Sequence, residues 1–173
     1  DNSNNQYDAN YFIAGSYGYS KKPNNKIMII REFESFIDFT IEVKGNFTGT
    51  NKQYILYNND VKIWFDGISF NISFDGNQYS AISTEGNKTV QFKKLNSELN
   101  IFINGILIST YSLPKYNYPI SFNQSFIMSD ITGENHCTSE IEYIFLNNTA
   151  LESNSLGNTL ILQNENLDFC YNE

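Results

Sequence analysis

The sequence has little charge, few cysteines and no long apolar run, and each absence excludes a class of protein. Charged residues make up 17% of the 173 residues, whereas aromatic residues make up 16%, which is the opposite of the composition of a disordered chain. Basic residues number 11 against 19 acidic ones, a net charge of −8. This charge disfavours binding to nucleic acid or to an anionic membrane, because both need clustered positive charge. No apolar stretch approaches the roughly 20 residues of a membrane span.

The length fits one domain, and no linker or internal repeat divides the chain. We therefore expect residues 1–173 to form a single domain. The chain begins at Asp1 rather than at Met and shows no signal peptide, so we expect a mature ectodomain or an excised fragment.

The only two cysteines are Cys137 and Cys170. An even count in an extracellular context predicts one disulfide, which would tie the C-terminal tail back to the domain and contribute about 3–4 kcal/mol. The alternative is two unrelated buried thiols. The spacing fits neither a zinc site nor a Cys-x-x-Cys redox motif.

Five Asn-x-Ser/Thr motifs indicate N-glycosylation. The acceptors are Asn46, Asn71, Asn87, Asn123 and Asn147. Asn46 follows a strand-ending glycine, Asn87 lies in a predicted turn and Asn147 comes just after an apolar strand, all surface positions at which a glycan fits. We therefore predict a secreted or cell-surface glycoprotein.

Apolar residues alternate with polar ones along most of the chain, which is typical of half-buried β-strands. The pattern is clean from Ile37 to Val43 and again from Ser69 to Phe74. In the second stretch Phe70, Ile72 and Phe74 point to the core, and Asn71 is expected to face solvent, as antiparallel sheets with one wet face allow.

Turn signals separate these strands every 8–12 residues, as expected for an antiparallel sandwich or barrel. Asp66-Gly67, Asp75-Gly76, Glu85-Gly86-Asn87 and Asn104-Gly105 each stand between two β-rich runs. Asn-Gly and Asp-Gly favour the type I′ turn, in which both central residues need positive φ. No segment predicts a long amphipathic helix, so the fold class is all-β.

Three stretches resemble the concanavalin A-like jelly-roll superfamily, in particular its laminin-G-like branch. They are Asp38–Val43, the hairpin Leu99–Ile108 with its continuation to Pro114, and Glu140–Leu146. The similarity covers about residues 26–150. The resemblance implies two packed antiparallel sheets of about six or seven strands each, and members of this superfamily mostly bind glycans or extracellular proteins.

A minority of the superfamily are glycosidases, and their Glu-x-Asp-x-x-Glu strand is missing here. Glu140 and Glu142 stand two residues apart on one strand, which satisfies the separation of a glycosidase carboxyl pair. Alternating acids on a solvated strand are nevertheless the commoner arrangement. The only histidine, His136, has no Gly-x-Ser-x-Gly motif to serve. We expect a protein without enzymatic activity.

No cofactor is expected, and calcium has one weak candidate site. Calcium needs six to eight converging oxygen ligands. Asp130 and Glu134, with backbone carbonyls around Thr132-Gly133, are the one plausible local cluster. Asp66 and Asp75 lie in turns at opposite ends of one strand and are better explained as turn formers.

Loop tyrosines are the best candidates for a binding surface, because they offer rigid contact area with a polar tip. The candidates are Tyr17 and Tyr19 near the start, Tyr116 and Tyr118 beside two prolines, and Trp64 as a stacking platform or core residue. We predict an extracellular recognition or adhesion module that binds a protein partner through loops at the rim. The alternative is a lectin that binds carbohydrate through a sheet face or the rim.

Overall fold

The computed structural model describes residues 12–13, 19–22, 26–29, 38–114, 125–127, 137–147 and 159–163. These residues form 14 strands. The strands are β1 (Phe12–Ile13), β2 (Tyr19–Lys22), β3 (Lys26–Ile29), β4 (Phe39–Phe47), β5 (Gln53–Tyr57), β6 (Val61–Phe65), β7 (Ser69–Phe74), β8 (Asn77–Ile82), β9 (Gly86–Leu95), β10 (Glu98–Ile103), β11 (Ile106–Ser112), β12 (Phe126–Ile127), β13 (Glu140–Asn147) and β14 (Thr159–Gln163). Nowhere in these ranges is there a helix long and apolar enough to cross a membrane.

The strands form two seven-stranded sheets. The first sheet has the order β1-β14-β13-β4-β9-β10-β11, and the second has the order β2-β3-β12-β5-β6-β7-β8. Every described pairing is antiparallel. The predicted all-β sandwich of two antiparallel sheets is confirmed.

Strand β4 lies at the centre of the first sheet, between β9 and β13. The predicted inward residues Phe39, Ile41 and Val43 are buried in the core. The strand is longer than the sequence pattern suggests, since pairing continues to Phe47, opposite Gly86. Phe47 is itself fully buried, so the core extends beyond the alternation that predicted it.

Aromatic rings fill the space between the sheets. Phe47 lies edge-on to Phe70 with ring centroids 4.7 Å apart, and Phe39 lies edge-on to Phe74 at 5.8 Å. Each contact joins β4 of the first sheet to β7 of the second. Such pairs contribute roughly 0.5–1.5 kcal/mol beyond the apolar area they bury, and they fix the two sheets face to face.

Tight turns at glycine connect the hairpins. Asn104 and Gly105, between β10 and β11, have φ of 52° and 80°, which is the positive pair that a type I′ turn requires. Asp75 and Gly76 between β7 and β8 show the same pair, 50° and 76°. Asn96, at the β9–β10 turn, also has a positive φ of 53°. No glycine follows Asn96 in the sequence, so this third turn has no glycine signal.

The open edges of the two sheets meet at β11 and β8, and a tyrosine joins them. The Tyr111 hydroxyl donates to the Ser80 carbonyl at 2.6 Å and accepts from the Ser80 N–H at 3.2 Å. Its ring lies 5.1 Å from that of Tyr79. Because an edge strand leaves backbone groups unpaired, this contact protects part of the β8 edge.

A buried lysine fixes the start of β4. Lys94 of β9 points toward the core and its side chain is 0% exposed, while its ammonium group lies 3.4 Å from the Asp38 carboxylate, which is 31% exposed. The same carboxylate oxygen accepts the Asn96 N–H at 2.8 Å. Burial lowers the pKa of Lys94, and the nearby Asp38 charge partly opposes that shift.

Removing the two members of this ion pair should have unequal effects. We expect Lys94→Met to change the free energy of unfolding by less than about 1 kcal/mol, because it also removes a buried charge. Asp38→Ala should cost about 2–4 kcal/mol, because it removes the carboxylate beside the buried Lys94 ammonium and the acceptor of the Asn96 N–H. Urea unfolding of both variants measures the difference. Equal losses of unfolding free energy in the two variants would show that the Lys94 charge itself stabilises the fold.

Candidate functional site

Polar and half-buried aromatic side chains cover the side of the first sheet that faces away from the core. We call this surface the outer face. Its described side chains are Thr40, Glu42, Lys44 and Asn46 of β4, Asn87, Thr89, Gln91, Lys93 and Leu95 of β9, Glu98, Asn100 and Phe102 of β10, Leu107, Thr110 and Ser112 of β11, and Glu140, Glu142, Tyr143 and Phe145 of β13.

A β-bulge in β13 adds one side chain to this face. Ile141 pairs with Gly45 and Tyr143 pairs with Lys44, so Glu142 is the extra residue. Ile141 is buried and Glu142 is exposed, which places Glu142 and Tyr143 on the same side of the sheet. Bulges commonly redirect side chains in this way beside functional sites.

The bulge needs a glycine on the neighbouring strand. A Cβ atom at Gly45 would clash with the carbonyl oxygen of Glu140. Gly45 thus lets β13 approach β4 at the point where Glu140 and Glu142 reach the surface. The prediction that a strand ends at this glycine is wrong, because β4 continues through it.

Within the described residues the outer face has two depressions, and the first lies where β13, β4 and β9 meet. It has a volume of about 450 Å³. It is lined by Lys44, Gly45, Asn46, Asn87, Lys88, Thr89, Asn104, Glu140, Ile141 and Glu142. The Lys44 ammonium lies 3.6 Å from the Glu142 carboxylate, and the Asn104 side-chain oxygen accepts the Thr89 N–H at 2.9 Å. Amides and carboxylates therefore provide most of its polar lining.

The second depression lies on β9 and β10, toward the opposite end of the strands. Its volume is about 380 Å³. It is lined by Lys93, Leu95, Asn96, Ser97, Glu98, Asn100 and Phe102. The Asn100 amide donates to Glu98 at 2.9 Å and its carbonyl oxygen accepts from Thr110 at 2.7 Å. Phe102 is half-buried and adds an aromatic surface to these polar groups.

Gln91 separates the two depressions on β9. It is the single outward residue between Thr89, in the first depression, and Lys93, in the second. Its amide donates to the Glu42 carboxylate at 3.3 Å, and the same carboxylate accepts the Tyr143 hydroxyl. Burial, and then the bond to Glu42, raises the pKa of Tyr143, so its hydroxyl remains a donor at neutral pH.

This arrangement suits a ligand rich in hydroxyl groups. Planar amides and carboxylates can each bond to two adjacent hydroxyls, because they present two polar atoms side by side. The half-buried rings Phe102, Tyr143 and Phe145 stand among them and offer apolar contact. Open depressions of a few hundred Å³ are of the size that binds small ligands.

Two of the predicted glycosylation acceptors lie in the first depression. Asn46 and Asn87 are directly opposite each other on β4 and β9. Both are inside strands rather than after a strand end or in a turn, which corrects their expected placement. Asn147 is the last residue of β13 and pairs with Thr40 and Thr159. Asn123 lies outside the described residues.

The expectation that Asn71 faces solvent is wrong. Its side chain is on the outer side of the second sheet but is only 1% exposed. The Ser80 hydroxyl donates to its carbonyl oxygen at 2.6 Å, and its amide donates to the Ser69 carbonyl at 3.2 Å. A glycan on this nitrogen would break that network.

Trp64 is on the same side of the second sheet, outside the core cluster. It is only 7% exposed, with Tyr54 edge-on at 5.9 Å and the Lys52 ammonium 4.4 Å from its ring centroid. It therefore provides no open stacking platform in this conformation.

The remaining predicted site residues fall mostly outside the described part of the chain. Tyr17, Tyr116, Tyr118, Asp130 and Glu134 all lie there, and the loop and calcium predictions on them stay predictions. The structure places Tyr19 in β2, paired with Ile29, and not in a loop.

Solved structures share this architecture. A protein from Bacteroides ovatus provisionally assigned as carbohydrate-binding has a TM-score of 0.65 at 13% identity, over 85% of this chain and 50% of its own. A heptameric pentraxin from Limulus polyphemus, described as SAP-like, has a TM-score of 0.53 at 13% identity, over 73% of this chain and 71% of its own. The chain has a jelly-roll fold. It spans about half the length of the Bacteroides protein.

A weaker similarity joins this jelly roll to the CBM40 domain of a Ruminococcus gnavus sialidase bound to α2,3-sialyllactose. The TM-score is 0.45 at 14% identity, over 75% of this chain and 80% of that domain. No family model matches the sequence, and no curated protein matches it. The laminin-G-like branch stays a prediction.

The disulfide predicted between Cys137 and Cys170 stays a prediction. Cys137 has a free thiol and is fully buried. Its sulfur lies 3.5 Å from the side-chain oxygen of Gln53, which also accepts the Ser139 hydroxyl at 2.6 Å. Cys170 lies outside the described residues. Burial raises the pKa of the Cys137 thiol to about 12.

A free Cys137 should be unreactive in the native protein. A pKa of about 12, against 9.0 for an ordinary thiol, reduces the thiolate at neutral pH by roughly a thousandfold. We expect iodoacetamide to modify Cys137 only in urea, and mass spectrometry of the peptide measures this. Because the folded pKa is raised, stability contributed by the neutral thiol is complete below about pH 9 and falls as pH rises toward 12. A Cys137–Cys170 peptide without added reductant would contradict the free thiol.

Proposed function

We propose that this protein binds carbohydrate through the outer face of its first sheet. The observation that carries the proposal is the pair of polar depressions on either side of Gln91, the second of which is also lined by the half-buried ring of Phe102. Carbohydrate binding was the second candidate in the sequence analysis. It now has a surface with suitable chemistry and volume.

The chemistry of the face supports this choice over an apolar ligand or a flat protein contact. Glu42, Gln91 and Tyr143 already form a connected set of hydrogen bonds, so their side chains are held in position before a ligand arrives. Preorganisation reduces the entropy that binding must overcome. The assignment given to the Bacteroides ovatus protein, which shares the fold at a TM-score of 0.65, agrees with this function.

We propose binding without catalysis. Glycosidases hold the sugar between two carboxyl groups, whereas Glu140 and Glu142 stand on one strand at the side of an open depression. Both carboxylates are exposed, and Glu142 is engaged by Lys44. A carboxylate in that position is suited to accepting hydrogen bonds from ligand hydroxyls.

Glycans on Asn46 or Asn87 would cover the first depression, since both residues line it. The proposal therefore predicts stronger binding for protein made without N-glycans than for protein carrying them at these two positions. Mass spectrometry of each tryptic site, followed by binding measurements on both forms, separates the two cases. Equal binding by a form fully modified at Asn46 and Asn87 would contradict the assignment of this depression.

Two glutamine variants test the site. We expect Gln91→Ala to weaken glycan binding about tenfold, because it removes one amide and releases Glu42. Gln78→Ala is the matched control, since Gln78 is an exposed strand glutamine on the opposite sheet; its effect should stay within about twofold. A glycan array identifies the ligand, and calorimetry compares the variants. An equal effect of both changes would place the site elsewhere.

Protein binding, which the sequence analysis favoured, has one observation in its support. The edge strand β11 exposes Ile106, Leu107 and Ile108 at 64%, 50% and 43%, and it contains no charged residue. An unpaired edge of this kind can accept a strand from another protein. We keep it as the second candidate function.

Leu107→Lys tests this second candidate. A lysine on the edge strand should abolish strand addition by a protein partner. Ile82→Lys, at an exposed position of β8, is the control. Pull-down with each immobilised variant measures partner capture. If the deglycosylated wild type captures a partner and Leu107→Lys captures it equally well, β11 is not the binding edge.

A further inference from the structure

Within the described residues the two sheets have four edges, and three of them carry a feature that discourages pairing with another chain. In the first sheet β1 has only two residues, and in the second sheet β2 contains Lys21 and Lys22. The β8 edge is covered in part by Tyr111, whose hydroxyl bonds to both backbone groups of Ser80. Short strands, lysines and covering side chains are common means by which proteins protect sheet edges.

The fourth edge, β11, is open along its regular part. The strand contains no charged residue and no proline. A bulge leaves Ile108 unpaired with β10, so the regular ladder with that strand runs from Ser109 to Ser112. The bulge blunts the hairpin end of the edge, but the stretch beyond it has no comparable protection among the described residues.

One hydrogen bond shows which backbone groups face this open edge. The Leu113 N–H donates to the Ser97 carbonyl at 2.7 Å, on the β10 side. Because the backbone groups of successive residues in a strand point to opposite sides, those of Tyr111 also face β10. The N–H and C=O groups of Thr110 and Ser112 therefore point away from β10, and both residues are exposed.

We propose that β11 pairs antiparallel with the β11 strand of a second copy of this chain. This inference goes beyond the proposed function and gives one definite occupant to the open edge. When Thr110 lies opposite Ser112 of the second copy, each of the two equivalent pairs makes two hydrogen bonds. The contact is twofold symmetric, so both copies use the same surface and the association stops at two.

The absence of charge favours a second copy over a different protein. In a symmetric contact, a charged side chain near the twofold axis would face its own equivalent and be repelled. β11 avoids this repulsion in every register, because it contains no charged residue. A chain with a net charge of −8 would attract a basic partner through acidic side chains, and β11 offers none.

This pairing joins the two first sheets into one continuous sheet. Both outer faces then lie on the same side, because the twofold axis that relates antiparallel neighbours is perpendicular to the sheet. Five strand spacings separate β9 of one copy from β9 of the other, which is about 24 Å at ~4.8 Å per spacing. The dimer presents two proposed glycan-binding faces to one surface, which increases avidity without any new contact.

Sedimentation equilibrium of the wild-type chain over a wide concentration range tests the dimer directly. We expect the mass to rise from that of one chain to that of two, with a dissociation constant on the order of micromolar, because one strand pair is a small interface. Added salt should strengthen the dimer, since it screens the repulsion between two negatively charged copies. A mass that stays at one chain, or that rises beyond two, would overturn the proposal.

Two substitutions at Thr110 separate the backbone contact from the side chain. Thr110→Pro removes the N–H that faces the open edge, where an edge strand tolerates proline. Thr110→Val is the matched control, because it loses the same hydroxyl bond to Asn100 but keeps the N–H. We expect the proline variant to weaken dimerisation about tenfold or more, and the valine variant to change it less than about twofold.

Circular dichroism verifies that each variant is folded. If Thr110→Pro does not fold, Ser112→Pro replaces it, because it removes the other N–H that faces the open edge. A folded proline variant that dimerises as strongly as the wild type would show that the contact does not use β11, and would overturn the proposal.

Retention on glycan-coated surfaces keeps this inference distinguishable from the proposed function. On a dense surface Thr110→Val should be retained longer than Thr110→Pro, whereas on a sparse surface the two variants should agree within about twofold. A dimer that binds no glycan would overturn the proposed function and support this inference. A chain that binds glycan but stays monomeric at every concentration, or that pairs only with a different protein at β11, would overturn this inference alone.

Discussion

The register of β4 between β9 and β13 is the constraint on which the rest of this molecule depends. Side chains alternate between two faces along a strand, so a slip of one residue would exchange core and surface. Two adjacent cross-strand pairs of β4 and β9, Ile41–Phe92 and Glu42–Gln91, lie on opposite faces of the sheet. The first pair belongs to the core, and the second stands between the two depressions. Because Phe39 and Phe47 are locked against rings of the opposite sheet, the core holds the outer face in position.

The architecture could be predicted from the sequence because its signals are local. Alternation identified Phe39, Ile41, Phe70 and Ile72 as core residues, and Asn104-Gly105 identified its hairpin. These features need only a strand period and the positive φ of a type I′ turn. The two-sheet arrangement follows from them together with the resemblance to a known superfamily. Asn96 escaped notice because asparagine takes positive φ there without a following glycine.

The candidate site could not be predicted because it depends on contacts between distant segments. Glu42, Gln91 and Tyr143 are separated by dozens of residues and meet only through strand pairing. No residue pattern within β13 indicates the bulge at Glu142. The bulge depends on Gly45 of the neighbouring strand β4. The burial of Asn71 also depends on contacts that the sequence pattern does not show. Alternation placed it correctly on the side away from the core, but its burial arises from neighbours such as Ser80 that alternation does not reveal.

A jelly-roll fold by itself does not specify a ligand, since one fold supports many functions. What distinguishes this chain is how polar groups are used on its two sheets. On the second sheet the polar groups of the Asn71 side chain make hydrogen bonds within the sheet. Trp64 is covered by Lys52 and Tyr54. On the first sheet the glutamates and amides line open depressions. Buried polar networks stabilise a sheet, whereas exposed, preorganised ones are available to a ligand. The contrast between the two sheets is therefore the strongest physical reason to look for recognition on the first.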